Sequence, residues 1–152
     1  MKFDVIIIGG GLAGMTAAAE LQQAGLRCAV ISEGLSLSLP KAPGKEFIAA
    51  GGTVFQGDSV TGGRFADGRL VCVRTSKLPG LDLEADWFVL ATGKYFSRGI
   101  VADMDKVYEP LFGLDTEYEE DRSRWFSPSF YAPQKFLEFG VRTMDGCALK
   151  DG

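Results

Sequence analysis

After Lys2 the chain runs Phe3-Asp4-Val5-Ile6-Ile7-Ile8, apolar at all but one position and rich in β-branched side chains. A strand that is apolar on both of its alternating faces belongs in the middle of a parallel sheet covered on both sides, so a central strand is predicted over Phe3–Ile8. The period then changes. From Leu12 to Ala24 the residues Leu12, Met15, Ala18, Ala19 and Leu21 fall on one side of a helix, and Gly25 stands just past its end as a C-terminal cap. A second strand, Arg27–Ser32, follows at once. Strand, helix and strand within about thirty residues make a βαβ unit with a right-handed crossover.

Further along, "EGLSLSLPKAPGK", Glu33 to Lys45, reads as a surface connection because of Pro40, Pro43 and Gly44. A short helix over Lys45–Ala50, stopped by Gly51-Gly52, leads to a third parallel strand at Thr53–Gln56. Beyond Asp58 the pattern becomes antiparallel: Ser59–Phe65 and Arg69–Thr75 flank the hairpin signal Asp67-Gly68. Leu78-Pro79-Gly80 turns the chain again before Leu81–Trp87. This three-stranded meander takes the place of a crossover helix. It delivers the chain into another buried strand, Phe88–Ala91, ending in the small-residue turn Ala91-Thr92-Gly93. The expected fold is therefore α/β: a Rossmann-like fold whose central parallel sheet carries an antiparallel β-meander as one crossover.

Candidate chemistry enters at the first turn. Gly9, Gly11 and Gly14 fit Gly-x-Gly-x-x-Gly between strand and helix. In that arrangement Gly9 permits the tight turn, Gly11 lets the backbone approach a pyrophosphate, and Gly14 lets the helix lie close to the sheet. The helix start adds backbone N–H donors and a partial positive charge. Glu33 ends the second strand 19 residues after Gly14, where a carboxylate can accept hydrogen bonds from a ribose diol. These features suit an adenosine-diphosphate cofactor, and FAD and NAD both carry that group. The candidate contacts are Gly9, Gly10, Gly11, Leu12, Ala13 and Gly14, then Ser32 and Glu33, Val60 in the first meander strand, and Ala91, Thr92 and Gly93.

Composition narrows the chemistry. The 152 residues contain no histidine, which removes Ser-His-Asp and Cys-His catalysis and leaves the hard step to a bound cofactor. Cys28, Cys72 and Cys147 are odd in number and far apart, so neither a disulfide framework nor a metal site is expected, and a reducing cytoplasm fits. A net charge of −4 without a run of Lys or Arg speaks against nucleic acid. Val5–Ala19 is too short for a membrane span, and its glycines and Asp4 oppose a secretory leader. At 46% hydrophobic and 24% charged, the chain is expected to form one globular domain, 1–152.

The combination of glycine turn, strand-ending acid, meander and Ala-Thr-Gly resembles the two-dinucleotide-binding-domain flavoproteins, in which small residues at the second turn approach FAD. More narrowly, "MKFDVIIIGGGLAGMTAAAELQQAGLRCAVIS", "FVLATGKYFSRGIVADMDKVYEPLFGLD" and "FYAPQKFLEFGVRT" are similar to the family of anaerobic glycerol-3-phosphate dehydrogenase B subunits. The resemblance implies one component of a complex that oxidises sn-glycerol 3-phosphate to dihydroxyacetone phosphate and passes electrons towards quinone. It implies a sister flavoprotein subunit as partner and an iron–sulfur subunit that meets the membrane, with this chain cytoplasmic at the inner face. FMN is commonly assigned to members of this family; Glu33 and the glycine turn favour FAD. Relative to the family, a large segment is missing at the 34–45 connection, and the 94–152 portion stops short of a further glycine-rich segment. Those omissions keep two other readings open, a non-catalytic nucleotide-binding or assembly module and an NAD(P)-binding oxidoreductase domain.

The remaining residues carry weaker signals, and no catalytic residue is named. Lys94, Tyr95 and Arg98 follow the second turn and suit either a solvated loop or a phosphate. The run Glu117–Arg124 has compensating charges and reads as an exposed face. Trp125, Phe126, Phe130, Tyr131, Phe136 and Phe139 suit packing against the sheet or a docking surface for a sister subunit, with packing preferred.

Overall fold

The computed structural model describes residues 1–34 and 43–148 and divides the chain into two compact units, Met1–Thr92 and Gly93–Gly152. In the first unit, β1 (Lys2–Ile8), α1 (Leu12–Gln23) and β2 (Cys28–Ser32) are followed by α2 (Pro43–Ala49) and β3 (Thr53–Gln56). Then come β4 (Val60–Ala66), β5 (Arg69–Thr75) and β6 (Leu83–Leu90). They build a six-stranded sheet in the order β3-β2-β1-β6-β5-β4, parallel from β3 to β6 and antiparallel from β6 to β4.

The expected α/β sheet and its meander are present, with adjustments that have physical causes. The separate strands Leu81–Trp87 and Phe88–Ala91 are one strand, β6. Its start pairs antiparallel with β5 (Leu83 beside Val73), while Glu84 to Leu90 pair parallel with β1. One strand thus serves as the last arm of the meander and as a central parallel strand, which needs no break at Trp87. α2 begins at Pro43 rather than Lys45; proline suits the first helical turn, where its missing N–H is not needed. Of the surface connection predicted over Glu33–Lys45, residues 35–42 lie outside the described part of the chain.

Residues of alternating parity on β1 and β2 meet the helices. Val5, Ile7, Cys28 and Val30 pack with Met15, Ala18, Ala19 and Phe47 in one buried cluster. Leu12, predicted on the same face, is instead 66% exposed, because the first residue of α1 stands beyond the edge of the sheet it would cover. Gln22 ties three elements together: its amide nitrogen donates to Ala50 O at 3.3 Å and its oxygen accepts the Cys28 N–H at 3.0 Å. Asp4, the polar exception in β1, accepts the Arg27 N–H at 2.7 Å where β2 approaches.

A second buckle ties the end of β3 to the end of β5. Asp58, only 2% exposed, follows β3, and its Oδ1 accepts from Ser59 N at 2.9 Å, Ser76 Oγ at 2.8 Å and Lys77 N at 2.9 Å. The Lys77 ammonium also donates to Gln56 O at 3.3 Å, so the end of β5 is brought back to the end of β3 although β2, β1 and β6 stand between them in pairing order. Burial alone pushes the Asp58 carboxyl up, but the neighbouring Thr75 side chain and the bonds from Lys77, Ser76 and Ser59 outweigh it and hold it below the ordinary carboxylate range.

In the second unit regular structure is sparse. Among its described residues three two-stranded pairs organise it: β7 (Val101–Ala102) with β8 (Val107–Tyr108), β9 (Thr116–Glu117) with β10 (Gly140–Val141), and β11 (Thr143–Met144) with β12 (Cys147–Ala148). Ile100, Val107, Trp125 and Phe139 form its core. The buried Glu109 carboxylate caps the following turn, accepting from Leu111 N at 2.7 Å and Phe112 N at 2.8 Å. The predicted exposed charge run includes Glu119, which pairs with Lys135 at 2.6 Å and Arg124 at 3.8 Å. The aromatic stretch divides. Trp125 and Phe139 are buried in this unit's own core, whereas Phe126, Phe130 and Tyr131 are exposed.

This packing is testable at two places. Asp58→Asn is expected to lower unfolding free energy by about 1–3 kcal/mol at neutral pH, since charge-assisted bonds to three donors become neutral ones. Because the folded carboxyl titrates below its unfolded value, that stabilisation is present above about pH 4 and lost as pH falls through the folded value. Denaturant melts of both proteins should therefore converge in acid; a constant difference would contradict the assignment. Gly14→Ala, whose added Cβ would stand 2.0 Å from Gly9 O, is expected to cost about 1–3 kcal/mol or more in the same assay. Gly11→Ala, with nothing within 4 Å of the new atom, should cost no more than about 1 kcal/mol.

Candidate dinucleotide site

The carboxyl ends of the parallel strands stop level with one another. Ile8 lies beside Ile31 on one side and Leu90 on the other, and the chain then continues as Gly9, Ser32 and Ala91. Gly9 N donates to Ile31 O at 2.9 Å and Ala91 N to Ile8 O at 2.8 Å, which holds both turns to the same edge. The strand order reverses about β1, with β2 and β3 on one side and β6 on the other. A crevice beyond the carboxyl ends at such a reversal is where open α/β sheets take their ligands.

The glycines make the crevice. Gly9 has φ of +113°, and a Cβ there would lie 2.3 Å from Ala91 O. A Cβ on Gly14 would meet Gly9 O at 2.0 Å and the Ala91 methyl at 3.1 Å. The first and second predicted turns therefore touch, with Ala91 and Thr92 seated against Gly9 and Gly14. Gly11 is different. It caps α1 with extended backbone and no side-chain hydrogen bond, and its missing side chain would point into open space.

The first bond of α1 runs from Met15 N to Gly11 O at 2.9 Å, so the amides of Leu12, Ala13 and Gly14 precede the helical ladder. No acidic residue lies in the first turn of α1. An anion there meets the positive end of the helix dipole and no like charge. The donors and the space above Gly11 fit a diphosphate group. Gly10 is buried, while Leu12 and Ala13 are exposed.

The other predicted residues lie at the end of β2, at the start of β4 and in the turn after β6. Ser32 ends β2, nearly buried, and its hydroxyl donates to Gly34 O. Glu33 follows in a bend, exposed at the same edge. Val60 opens β4 opposite Thr75; it is joined to the edge through the preceding Asp58 buckle and through Gly57, whose N–H donates to Ser32 O at 2.8 Å. Gly93 begins the second unit with φ of +74°. Lys94 and Tyr95 both turn to that unit's own backbone: Lys94 Nζ donates to Leu137 O at 2.8 Å, and the Tyr95 hydroxyl to Phe136 O. Burial raises the Tyr95 phenol. Sequence reasoning gives Asp58 no role, because its partners Ser76 and Lys77 stand 18 and 19 residues away and share no motif with it.

Comparison with known proteins agrees with this geometry. A family model described as "FAD binding domain" matches two overlapping segments, residues 4–55 and 37–151. The anaerobic glycerol-3-phosphate dehydrogenase B subunit of Vibrio cholerae is 39% identical over 111 residues, which is 72% of this chain and 26% of that protein. The protein of the same name from Yersinia pseudotuberculosis is 38% identical over 109 residues, again 72% of this chain and 26% of that one. The chain thus spans about a quarter of the length of the curated relatives it matches. Among solved structures, Thermovibrio ammonificans THI4 superposes with a TM-score of 0.53 at 18% identity, covering 63% of this chain and 59% of that one. The myxobacterial halogenase CndH, described as FAD-dependent, gives a TM-score of 0.51 at 16% identity over 62% of this chain and 38% of that one. At such identities the structural likeness concerns the fold alone. The family match spans nearly the whole chain and agrees with the turn geometry: this protein belongs to the FAD binding domain family and is related in sequence to the B subunits of anaerobic glycerol-3-phosphate dehydrogenases.

Proposed function

We propose that the first unit binds FAD through its adenosine diphosphate half and serves an oxidoreductase that converts sn-glycerol 3-phosphate to dihydroxyacetone phosphate, with electrons leaving towards quinone. The observation that carries the cofactor part is the helix start at Gly11. There, donors and open space meet at the carboxyl edge of a parallel sheet. The substrate part is supported by the 39% identity to the Vibrio cholerae dehydrogenase component over 111 residues. In this reading the amides of Leu12, Ala13 and Gly14 hold the diphosphate, and the Glu33 carboxylate accepts from the ribose hydroxyls. Ser32 and Val60 line the adenosine side, while Ala91 and Thr92 bring backbone towards the flavin end. FAD, when bound, supplies hydride and electron transfer, which a chain without histidine leaves to its cofactor.

The relatives' name also supports a multi-subunit assembly. A sister flavoprotein subunit and an iron–sulfur subunit at the inner face of the membrane are the proposed partners. Among the described residues no helix is long and apolar enough to cross a membrane.

Gly11→Val tests the cofactor reading, because the new side chain meets nothing in the folded protein and so separates binding from stability. By calorimetric titration the variant should lose about a hundredfold or more in FAD affinity while keeping its cooperative thermal transition. Unchanged affinity in the folded variant would contradict the placement of the diphosphate. Glu33→Ala should weaken FAD about tenfold through loss of charge-assisted bonds to ribose. A wild-type protein that binds adenine nucleotides but no flavin would instead mark a nucleotide-binding module without redox chemistry.

A further inference from the structure

The second unit contains a cleft of about 520 Å³ whose walls are Tyr95, Trp125, Phe126 and Phe136 and whose rim carries Arg98 and Arg122. That volume lies within the range of about 300–1,000 Å³ usual for small-molecule sites, which combine apolar walls with a few polar groups.

The walls are held in place. Trp125 is 4% exposed and packs edge-on to Phe139, with ring centres 5.3 Å apart. Its indole N–H donates to Glu119 O at 2.6 Å. Phe136 touches Phe126 at 4.8 Å and Tyr95 at 6.1 Å between ring centres. Gln134 pins the intervening loop, accepting the Ser127 N–H at 2.9 Å and donating to Ser129 O at 3.0 Å and Ala132 O at 3.1 Å.

The charges on the rim differ in freedom. Arg122 Nη1 is fixed by Asp103 O at 2.9 Å and Met104 O at 2.8 Å, and its guanidinium carbon lies 5.2 Å from the centre of the Trp125 ring. Among the described residues neither Arg122 nor Arg98 has a carboxylate within ion-pair distance. Among the described residues of the lining Asp103 is the one acidic group, and its carboxylate accepts the Met104 N–H at 2.7 Å. Among these residues two guanidiniums stand against one carboxylate, an excess of one positive charge.

The backbone beneath is strained where it presents these groups. Tyr95 has φ of +34° and Arg98 φ of +61°, left-handed values that cost non-glycine residues free energy and cluster at ligand sites. Folding alone is served by glycine at such positions. Here an aromatic side chain and a guanidinium occupy them, and both face the same cleft.

From these observations we infer that the cleft is a binding site for a planar aromatic or heteroaromatic monoanion, its ring lying against Trp125, Phe126 and Phe136 and its anionic group on the Arg98 guanidinium. A guanidinium matches carboxylate and phosphate oxygens in a two-pronged geometry, and aromatic walls favour a flat ring over an aliphatic chain. The inference stands on the second unit alone and does not depend on the FAD reading.

Benzoate, benzamide and acetate separate the two halves of the claim. Titrations use the full chain carrying Trp87→Phe, so that Trp125 is the single tryptophan fluorophore, and are made without added flavin. Benzoate should change the Trp125 emission saturably and bind at least about tenfold more tightly than benzamide or acetate. Arg98→Gln should weaken benzoate about tenfold and leave benzamide unchanged. Ala102→Leu, at an exposed lining position, should weaken benzoate and benzamide together by filling the space the ring needs. Equal affinities for benzoate and benzamide, an absence of saturable binding, or benzoate affinity indifferent to both substitutions would overturn the site.

Discussion

One close approach governs the first unit. The carbonyl of Gly9 and the place where a Gly14 side chain would be are 2.0 Å apart, and Gly9 itself sits against the Ala91 carbonyl. No side chain fits either position, so the first strand, the first helix and the end of β6 meet backbone to backbone. That contact sets where α1 begins. With it in place, the amides of the first helical turn point across the carboxyl edge of the sheet, and the space beside Gly11 stays free. Two glycines are consumed by packing and the third by access, although all three share one motif.

The two units are stabilised in different ways. In the first, long strands in register and two helices bury a continuous apolar cluster, and single polar residues such as Asp58 and Gln22 fasten the joints. The second has two-residue strand pairs and relies on side chains reaching backbone: Glu109 under its turn, Gln134 within its aromatic loop, Lys94 to Leu137 and Tyr95 to Phe136. Regular repetition suits a scaffold that presents a helix end. Irregular loops held by individual bonds suit a cleft whose walls and charges each need their own direction.

These differences set how much of the fold is legible in the residues alone. β1, α1, β2, β3 and the hairpin at Asp67-Gly68 announce themselves by period and turn chemistry, as does the small-residue turn Ala91-Thr92-Gly93, whereas its contact with Gly9 and Gly14 leaves no mark in the pattern. Pairing that changes along one strand leaves no periodic mark, so pattern alone divides β6 in two at Trp87. Leu12 belongs to the apolar face by helical period, which says nothing about where the sheet ends beneath the helix. Asp58 has one local partner, the Ser59 N–H, and the two that reveal its role, Ser76 and Lys77, stand 18 and 19 residues away. In the second unit the aromatic residues are visible as a group, but Trp125 is buried by packing with Ile100, Val107 and Phe139 while Tyr131 stays exposed, a division that no spacing encodes.

The central claim concerns three backbone amides, and they can be observed directly. Amide resonances of the isotope-labelled protein, followed through a titration with FAD, report each N–H separately. The account predicts that Leu12, Ala13 and Gly14 shift most and saturate with the flavin. Saturation of FAD binding with those three resonances unmoved would contradict it.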